Sequence, residues 1–150
     1  FISTNCSLCN EKNIEYINST WKKFGSKTIT MKSKDHDSIM AITSHIPHLI
    51  AFNIVGTASE LEEDIKSEVI KFSASGFRDF TRIASSDPVM WRDIMLSNKD
   101  EIISLFEKFN NDLKQILDAI KKDDGDFLVK KFKNTREIRE KIIEAGLDKN

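Results

Sequence analysis

Between residues 99 and 122, apolar side chains recur at Ile102, Phe106, Phe109, Leu113, Ile116 and Ile120, at alternating spacings of four and three. A helix brings positions three and four apart onto one face, whereas a strand changes face at every residue, so this segment reads as a long amphipathic helix with a heptad seam. Asp123, Asp124, Gly125 and Asp126 then make a turn, and a last helix repeats the seam through Leu128, Phe132, Thr135 and Ile142, with an interruption at Arg139. Two helices joined by so short a turn pack antiparallel. Ile103, Leu105, Leu117 and Ile143 lie off the seam and widen the apolar stripe beyond what one partner helix covers. A second copy of the chain is the simplest cover, and the expected assembly is a homodimer with an extensive apolar two-fold interface.

The opening of the chain follows another rhythm. Residues 1–4 are a short strand candidate, residues 11–24 place Ile14, Ile17, Trp21 and Phe24 at helical spacing with Gly25 as the terminator, and residues 27–31 are β-branched and alternating. A strand-helix-strand unit of this size cannot bury its own faces, so it reads as the last piece of a parallel α/β sheet whose other strands lie upstream. The first residue, Phe1, is not a methionine, in keeping with a fragment or processed product.

From Asp35 onward the pattern is helical. Asp35 or Asp37 is the expected cap of a helix through Ile39, Ile42, Ile46, Leu49 and Ile50, ended by Gly56, with Pro47 kinking it beside two histidines. A second helix is expected over 59–72, with Ser59 and Glu62 as a capping box and Leu61, Ile65, Val69 and Phe72 on one face. Residues 77–84 follow as a helix, and Asp87-Pro88 starts another with proline at its tolerated first position.

Charge excludes some partners. Lys and Arg number 23 against 24 Asp and Glu, which leaves a net charge of -1 and no basic surface for nucleic acid. No apolar run is read as approaching the roughly 18 residues of a membrane span, so no membrane partner is expected and the default location is cytoplasmic. Cys6 and Cys9 form a lone Cys-x-x-Cys; a zinc site would need two further ligands, and two reduced thiols are the plainer reading.

Two stretches carry the chemistry. In Ser44-His45-Ile46-Pro47-His48 the histidines lie three apart and share a helical face. With Asp35, His36 and Asp37 upstream a metal site can be imagined, but its remaining ligands are unspecified, and no metal is expected; ordinary helix histidines and ligand-binding histidines both remain open. Residues 76–98 hold Arg78, Arg82 and Arg92, Asp79 and Asp93, and Trp91 among apolar residues. Arg78 and Arg82 are either a solvated ion-pair patch or a device in which Asp79 holds an arginine whose fork grips a carboxylate, with Phe77, Phe80 and Ile83 excluding water. Trp91 is by type a core or interface anchor.

Asp35-His36-Asp37, Ser44-His45-Ile46-Pro47-His48 and residues 76–98, in this order and at these intervals, resemble the carboxyl-terminal half of the prephenate/arogenate dehydrogenases of tyrosine biosynthesis. Trp21-Lys22-Lys23-Phe24-Gly25 is similar to the last helix of that family's dinucleotide-binding domain. The resemblance implies a mainly α fold: a helical dimerisation and substrate-binding domain over 34–150, preceded over 1–33 by the strand-helix-strand remnant of a Rossmann-type α/β domain. It implies oxidative decarboxylation of prephenate or arogenate with NAD or NADP. By the same resemblance Arg82 grips a substrate carboxylate, His45 and His48 line the pocket, Asp79 orients the arginine, and Trp91 closes the site from the neighbouring subunit. The family's glycine-rich loop and catalytic histidine are not among these residues, so the 150 residues alone are expected to be inactive. The alternative is a non-catalytic helical dimerisation or interaction module.

Overall fold

The computed structural model describes residues 1–5, 10–61, 65, 68–69 and 71–144. Cys6 and Cys9, Glu62 of the expected capping box, several other residues of the helix expected over 59–72, and the final residues from Ala145 lie outside the described residues. Two compact units are present, Phe1–Leu105 and Phe106–Asn150.

The first unit opens with β1 (Ile2–Asn5), α1 (Glu11–Lys23) and β2 (Ile29–Lys32). The strands pair in parallel, with Ile2 beside Ile29 and Thr4 beside Met31. Parallel pairing requires a crossover, and α1 supplies it. The side chain of Asn10 caps α1 by accepting from the Lys12 N–H at 2.9 Å, and Gly25 leaves it at φ 82, a left-handed turn that suits glycine. Phe1 stacks on Trp21 with ring centroids 4.9 Å apart, fixing the crossover helix to the strand. Yet Ile2, Ile17, Phe24 and Ile29 stay exposed, as expected of a unit too small to cover its own faces.

β2 passes directly into α2 (Ser33–Met40), a π-helical turn (Ala41–His45) and α3 (Ile46–Ser59). Neither Asp35 nor Asp37 is the cap: extended Lys32 precedes the helix without a side-chain cap, and Asp35 sits in the first turn, where its charge favours the exposed N–H groups. Instead of the kink expected at Pro47, the irregularity present is a π turn just before it. Ile46 N–H reaches back five residues to the Ala41 carbonyl, which makes the π turn, and Pro47, which has no N–H to give, follows it directly within the continuous helix. Gly56 does not end α3. The helix continues to Ser59, whose hydroxyl donates to the Gly56 carbonyl at 2.7 Å, because glycine in a helix interior is only a weak breaker when neighbouring residues favour the helix. Ser59 therefore closes one helix instead of capping the next.

The continuous helical stretch Ser33–Ser59 corrects one expectation, since an 18-residue window within it has mean hydropathy 1.4 and is long and apolar enough, by length and composition alone, to cross a membrane. Polar residues interrupt the run in sequence without lowering its average enough. Within this unit it is the central element: Ala41, Ile46 and Ala51 are its buried residues, and α4 (Ser75–Ala84) packs against α3.

α5 (Pro88–Ser97) starts as expected, with the Asp87 carboxylate accepting from Met90 N–H at 2.8 Å and proline in the first turn. α6 (Lys99–Lys121) begins in the first unit and continues into the second, where α7 (Gly125–Glu144) follows. Asp123 takes a left-handed φ of 53, and Asp124 caps α7 through Phe127 N–H at 3.0 Å. An ion pair of Lys131 with Asp112 at 3.0 Å joins α7 to α6 across the hairpin, in the antiparallel sense. The seam is only partly covered. Ile102 and Ala119 are buried, but Leu113, Leu117, Ile120 and Phe132 remain exposed, so the hairpin leaves much of its apolar stripe open.

Candidate functional site

The π turn ends at His45, and His48 stands one turn further along, in α3. From α5, Trp91 comes against both. Its ring stacks on His48 with centroids 3.6 Å apart and planes 20° from parallel, and it meets His45 nearly at right angles, at 6.2 Å and 77°. Trp91 is 7% exposed, and its Nε1 is buried without a hydrogen-bond partner among the described residues. A buried indole N–H normally finds an acceptor, so this unpaired donor departs from the usual pattern.

Polar contacts fix the two imidazoles. His48 Nδ1 lies 2.9 Å from the Ser44 carbonyl, which can only accept, so Nδ1 carries a proton. His45 Nδ1 lies 3.2 Å from the Asn98 side-chain nitrogen, which also donates to the Asp37 carbonyl at 2.8 Å. Burial depresses the His45 pKa, His36 and His48 depress it further by like-charge repulsion, and Asp37 opposes them. His36 pairs with Asp37 at 3.0 Å. A cleft of about 330 Å³, lined by Lys34, Asp37, Leu96, Asn98 and Asp100 among others, borders this cluster at Asp37 and Asn98. Among the described residues no three His, Cys, Asp or Glu side chains converge on a metal-sized site.

His45, His48 and Trp91, picked out from separate stretches of sequence, thus form one cluster within a single chain. Arg82 and Asp79 do not join it by any hydrogen bond or ion pair among the described residues. They sit on α4 at i and i+3, Nε to Oδ1 3.8 Å, each 72% exposed. The poorly screened apolar setting expected for Arg82 is therefore absent from the protomer, and its pair with Asp79 contributes no more than about 1 kcal/mol. Arg92 is likewise exposed and donates to Asp93 at 2.8 Å. Asn98 is the residue that sequence reasoning passed over; it ends the arginine-rich block, and its partners stand 53 and 61 residues away, so no local spacing marks it.

Comparison with known proteins adds a family. A cyclohexadienyl dehydrogenase of Zymomonas mobilis is 38% identical over 126 residues, 84% of this chain and 43% of that protein. A prephenate dehydrogenase of Bacillus subtilis is 32% identical over 140 residues, 93% of this chain and 38% of that protein. The chain thus spans less than half the length of each curated relative. A crystal structure of prephenate dehydrogenase from Aquifex aeolicus, in complex with hydroxyphenyl propionate and NAD+, superposes with a TM-score of 0.85 at 32% identity, covering 94% of this chain and 49% of that one. An arogenate dehydrogenase from Synechocystis shares the fold at a TM-score of 0.82 and 20% identity. Residues 32–134, more than half of the chain and the whole of the His45, His48 and Trp91 cluster, match the family described as prephenate dehydrogenase, dimerization domain, and the chain belongs to that family.

Proposed function

We propose that this chain is the substrate-binding and dimer-forming part of a cytoplasmic dehydrogenase of tyrosine biosynthesis that oxidatively decarboxylates prephenate or arogenate. The observation that carries the reading is that two histidines and an indole with an unpartnered N–H converge inside the segment that matches the family. In this reaction a hydride leaves the ring carbon that bears the hydroxyl, the ring carboxylate departs as CO₂, and the ring becomes aromatic. The substrate also keeps a side-chain carboxylate throughout. The Aquifex protein was crystallised with hydroxyphenyl propionate, a phenol that carries such a carboxylate.

The chain's part is to bind and orient. Arg82, through its two-pronged fork, grips the side-chain carboxylate, with Asp79 limiting the rotamers of the arginine; the exposure of both in the protomer is the state before the ligand and the second subunit cover them. Trp91 Nε1 donates to a ligand oxygen, while the face of the indole stacked on His48 excludes water from one side. His45 and His48 line the same wall. The hydride acceptor is a nicotinamide dinucleotide, NAD or NADP. Residues 1–33 have the β-α-β pairing that closes a dinucleotide-binding sheet, but the sequence has no Gly-x-Gly-x-x-Gly turn, so the pyrophosphate is held by residues other than these. Residues 34–150 form the helical domain, and the exposed apolar stripes of α6 and α7 fit a homodimer. A net charge of -1 offers no basic surface that would favour nucleic acid as a partner.

The test is to titrate the purified full-length protein that carries this sequence with prephenate and with arogenate, following formation of reduced nicotinamide with each cofactor. Oxidation of one of the two is expected. No turnover and no binding of either, by a folded dimer, would reject the reading in favour of a non-catalytic helical module.

A further inference from the structure

Asn98 is the joint between α5 and α6. Its N–H donates to the Ile94 carbonyl at 3.2 Å and its own carbonyl accepts from Ile102 N–H at 3.1 Å, so its backbone is held from both sides. The side chain reaches across to the Asp37 carbonyl at 2.8 Å and to His45 Nδ1 at 3.2 Å. The amide has only one orientation that suits both. A carbonyl can only accept, so the amide nitrogen and not its oxygen must face Asp37, and the second hydrogen on that nitrogen is then directed to His45. His45 Nδ1 must therefore be a lone pair, and the single proton of the neutral ring resides on Nε2. His48 has the opposite arrangement, with its proton on Nδ1 against the Ser44 carbonyl.

We infer that Asn98 is a positioning residue that holds His45 as the Nε2–H tautomer, so that the two histidines of the site are tied through Nδ1 in opposite senses: His45 accepts there from Asn98 and donates from Nε2, whereas His48 donates there to the Ser44 carbonyl. The inference deepens the substrate-binding reading and rests on it for its functional meaning. The Nε2–H donor at His45 suits a ligand that offers an acceptor oxygen, as a carboxylic acid does.

The surroundings of His45 favour the same state. The groups that face it are His36, His48, Asp37, Trp91 and Asn98. Burial and the two histidines disfavour a cation there, and only Asp37 favours one. A proton added at Nδ1 would also set N–H against the Asn98 amide hydrogens, with no acceptor in place.

The experiment uses the full-length protein with ¹⁵N-labelled histidine and long-range proton-nitrogen correlation spectra, which distinguish a protonated ring nitrogen from a bare one. In the wild type at neutral pH, His45 is expected to show a bare Nδ1 and a protonated Nε2, and His48 a protonated Nδ1. Asn98→Asp replaces the donor with a carboxylate that accepts from His45, and it should raise the His45 titration midpoint by about one to three pH units. The pH profile of the substrate KM should move with it, an effect that a merely structural asparagine would not produce. A wild-type His45 found protonated at Nδ1 overturns the inference, as does a folded Asn98→Asp protein with an unmoved His45 titration. Should that variant fail to fold, the wild-type tautomer decides alone. Finding the inferred tautomers in a protein that binds neither prephenate nor arogenate would uphold the role of Asn98 and reject the proposed function instead.

Discussion

Replacing Trp91 by phenylalanine separates a packing role from a ligand-binding one. The indole is 7% exposed and stacks on His48 at 3.6 Å, so removing the whole side chain in Trp91→Ala should cost about 3–5 kcal/mol. At about 2–4 °C per kcal/mol for a chain of this size, that is a fall in Tm of roughly 6–20 °C. Phenylalanine keeps a six-membered ring for the stack, which contributes about 0.5–1.5 kcal/mol. It also removes an N–H that is buried without a partner, a group whose unmet desolvation costs about 1–3 kcal/mol, and this offsets the apolar burial that disappears with the second ring. The ligand-free stability of Trp91→Phe should therefore stay within about 1 kcal/mol of wild type, a Tm change of no more than about 4 °C. Binding is another matter. If Nε1 donates to a carboxylate, its loss removes about 1.5–3 kcal/mol, and KM for the substrate should rise about ten- to a hundredfold at little change in Tm. Calorimetry of the free protein and steady-state kinetics of the full-length enzyme give the two readings. A variant that loses as much Tm as Trp91→Ala while keeping the wild-type KM would show that the indole is core alone and that its orphaned N–H has no ligand.

Arg82→Ala should leave Tm nearly unchanged, because the side chain is 72% exposed, and should raise KM at least about tenfold; Arg82→Lys should also be impaired, since it keeps the charge but loses the fork. In a double-mutant cycle, Arg82→Ala and His48→Ala should be less than additive if they hold one carboxylate, and strict additivity would separate them. The full-length protein should be a dimer by light scattering, and Leu117→Glu with Ile120→Glu, at exposed apolar positions of α6, should yield a monomer; a dimer that survives both places the interface elsewhere. His45 binds its proton more weakly in the folded chain than its ordinary value of 6.5, so the unfolded state holds more protons just below that pH, and stability should fall as pH drops through this window and level off above it. The slope is bounded by one proton, and His45→Gln should flatten it; parallel pH curves for wild type and variant would assign the loss to other groups. The 150 residues expressed alone should not reduce NAD or NADP in the presence of prephenate, and turnover by them would require a catalytic group among His36, His45 and His48.

Much of the architecture was legible because it is written in local periodicity. The three-and-four spacing from Ile102 to Ile120 specifies α6, Gly25 ends α1 because a left-handed turn suits glycine, and Asp87-Pro88 starts α5 because one residue supplies a cap and the other needs no donor there. Each of these is decided by residues within a turn or two of one another. The same locality misled at Gly56 and Asp35, where a weak breaker and a weak cap were outvoted by the helix around them. His45, His48 and Trp91 could be named from sequence as chemically able residues, but their meeting could not. Where the helix slips into a π turn and how far Arg82 projects into solvent show only in the folded chain, and Asn98 spans from one helix joint to the Asp37 carbonyl and His45 over separations of 61 and 53 residues. Residue order and spacing are enough to say which faces are apolar and which groups can bind an acid. How each imidazole is held is settled in the packed chain, because the partner that reaches Nδ1 comes from elsewhere in the fold for His45, in Asn98, and from the π turn for His48, in the Ser44 carbonyl.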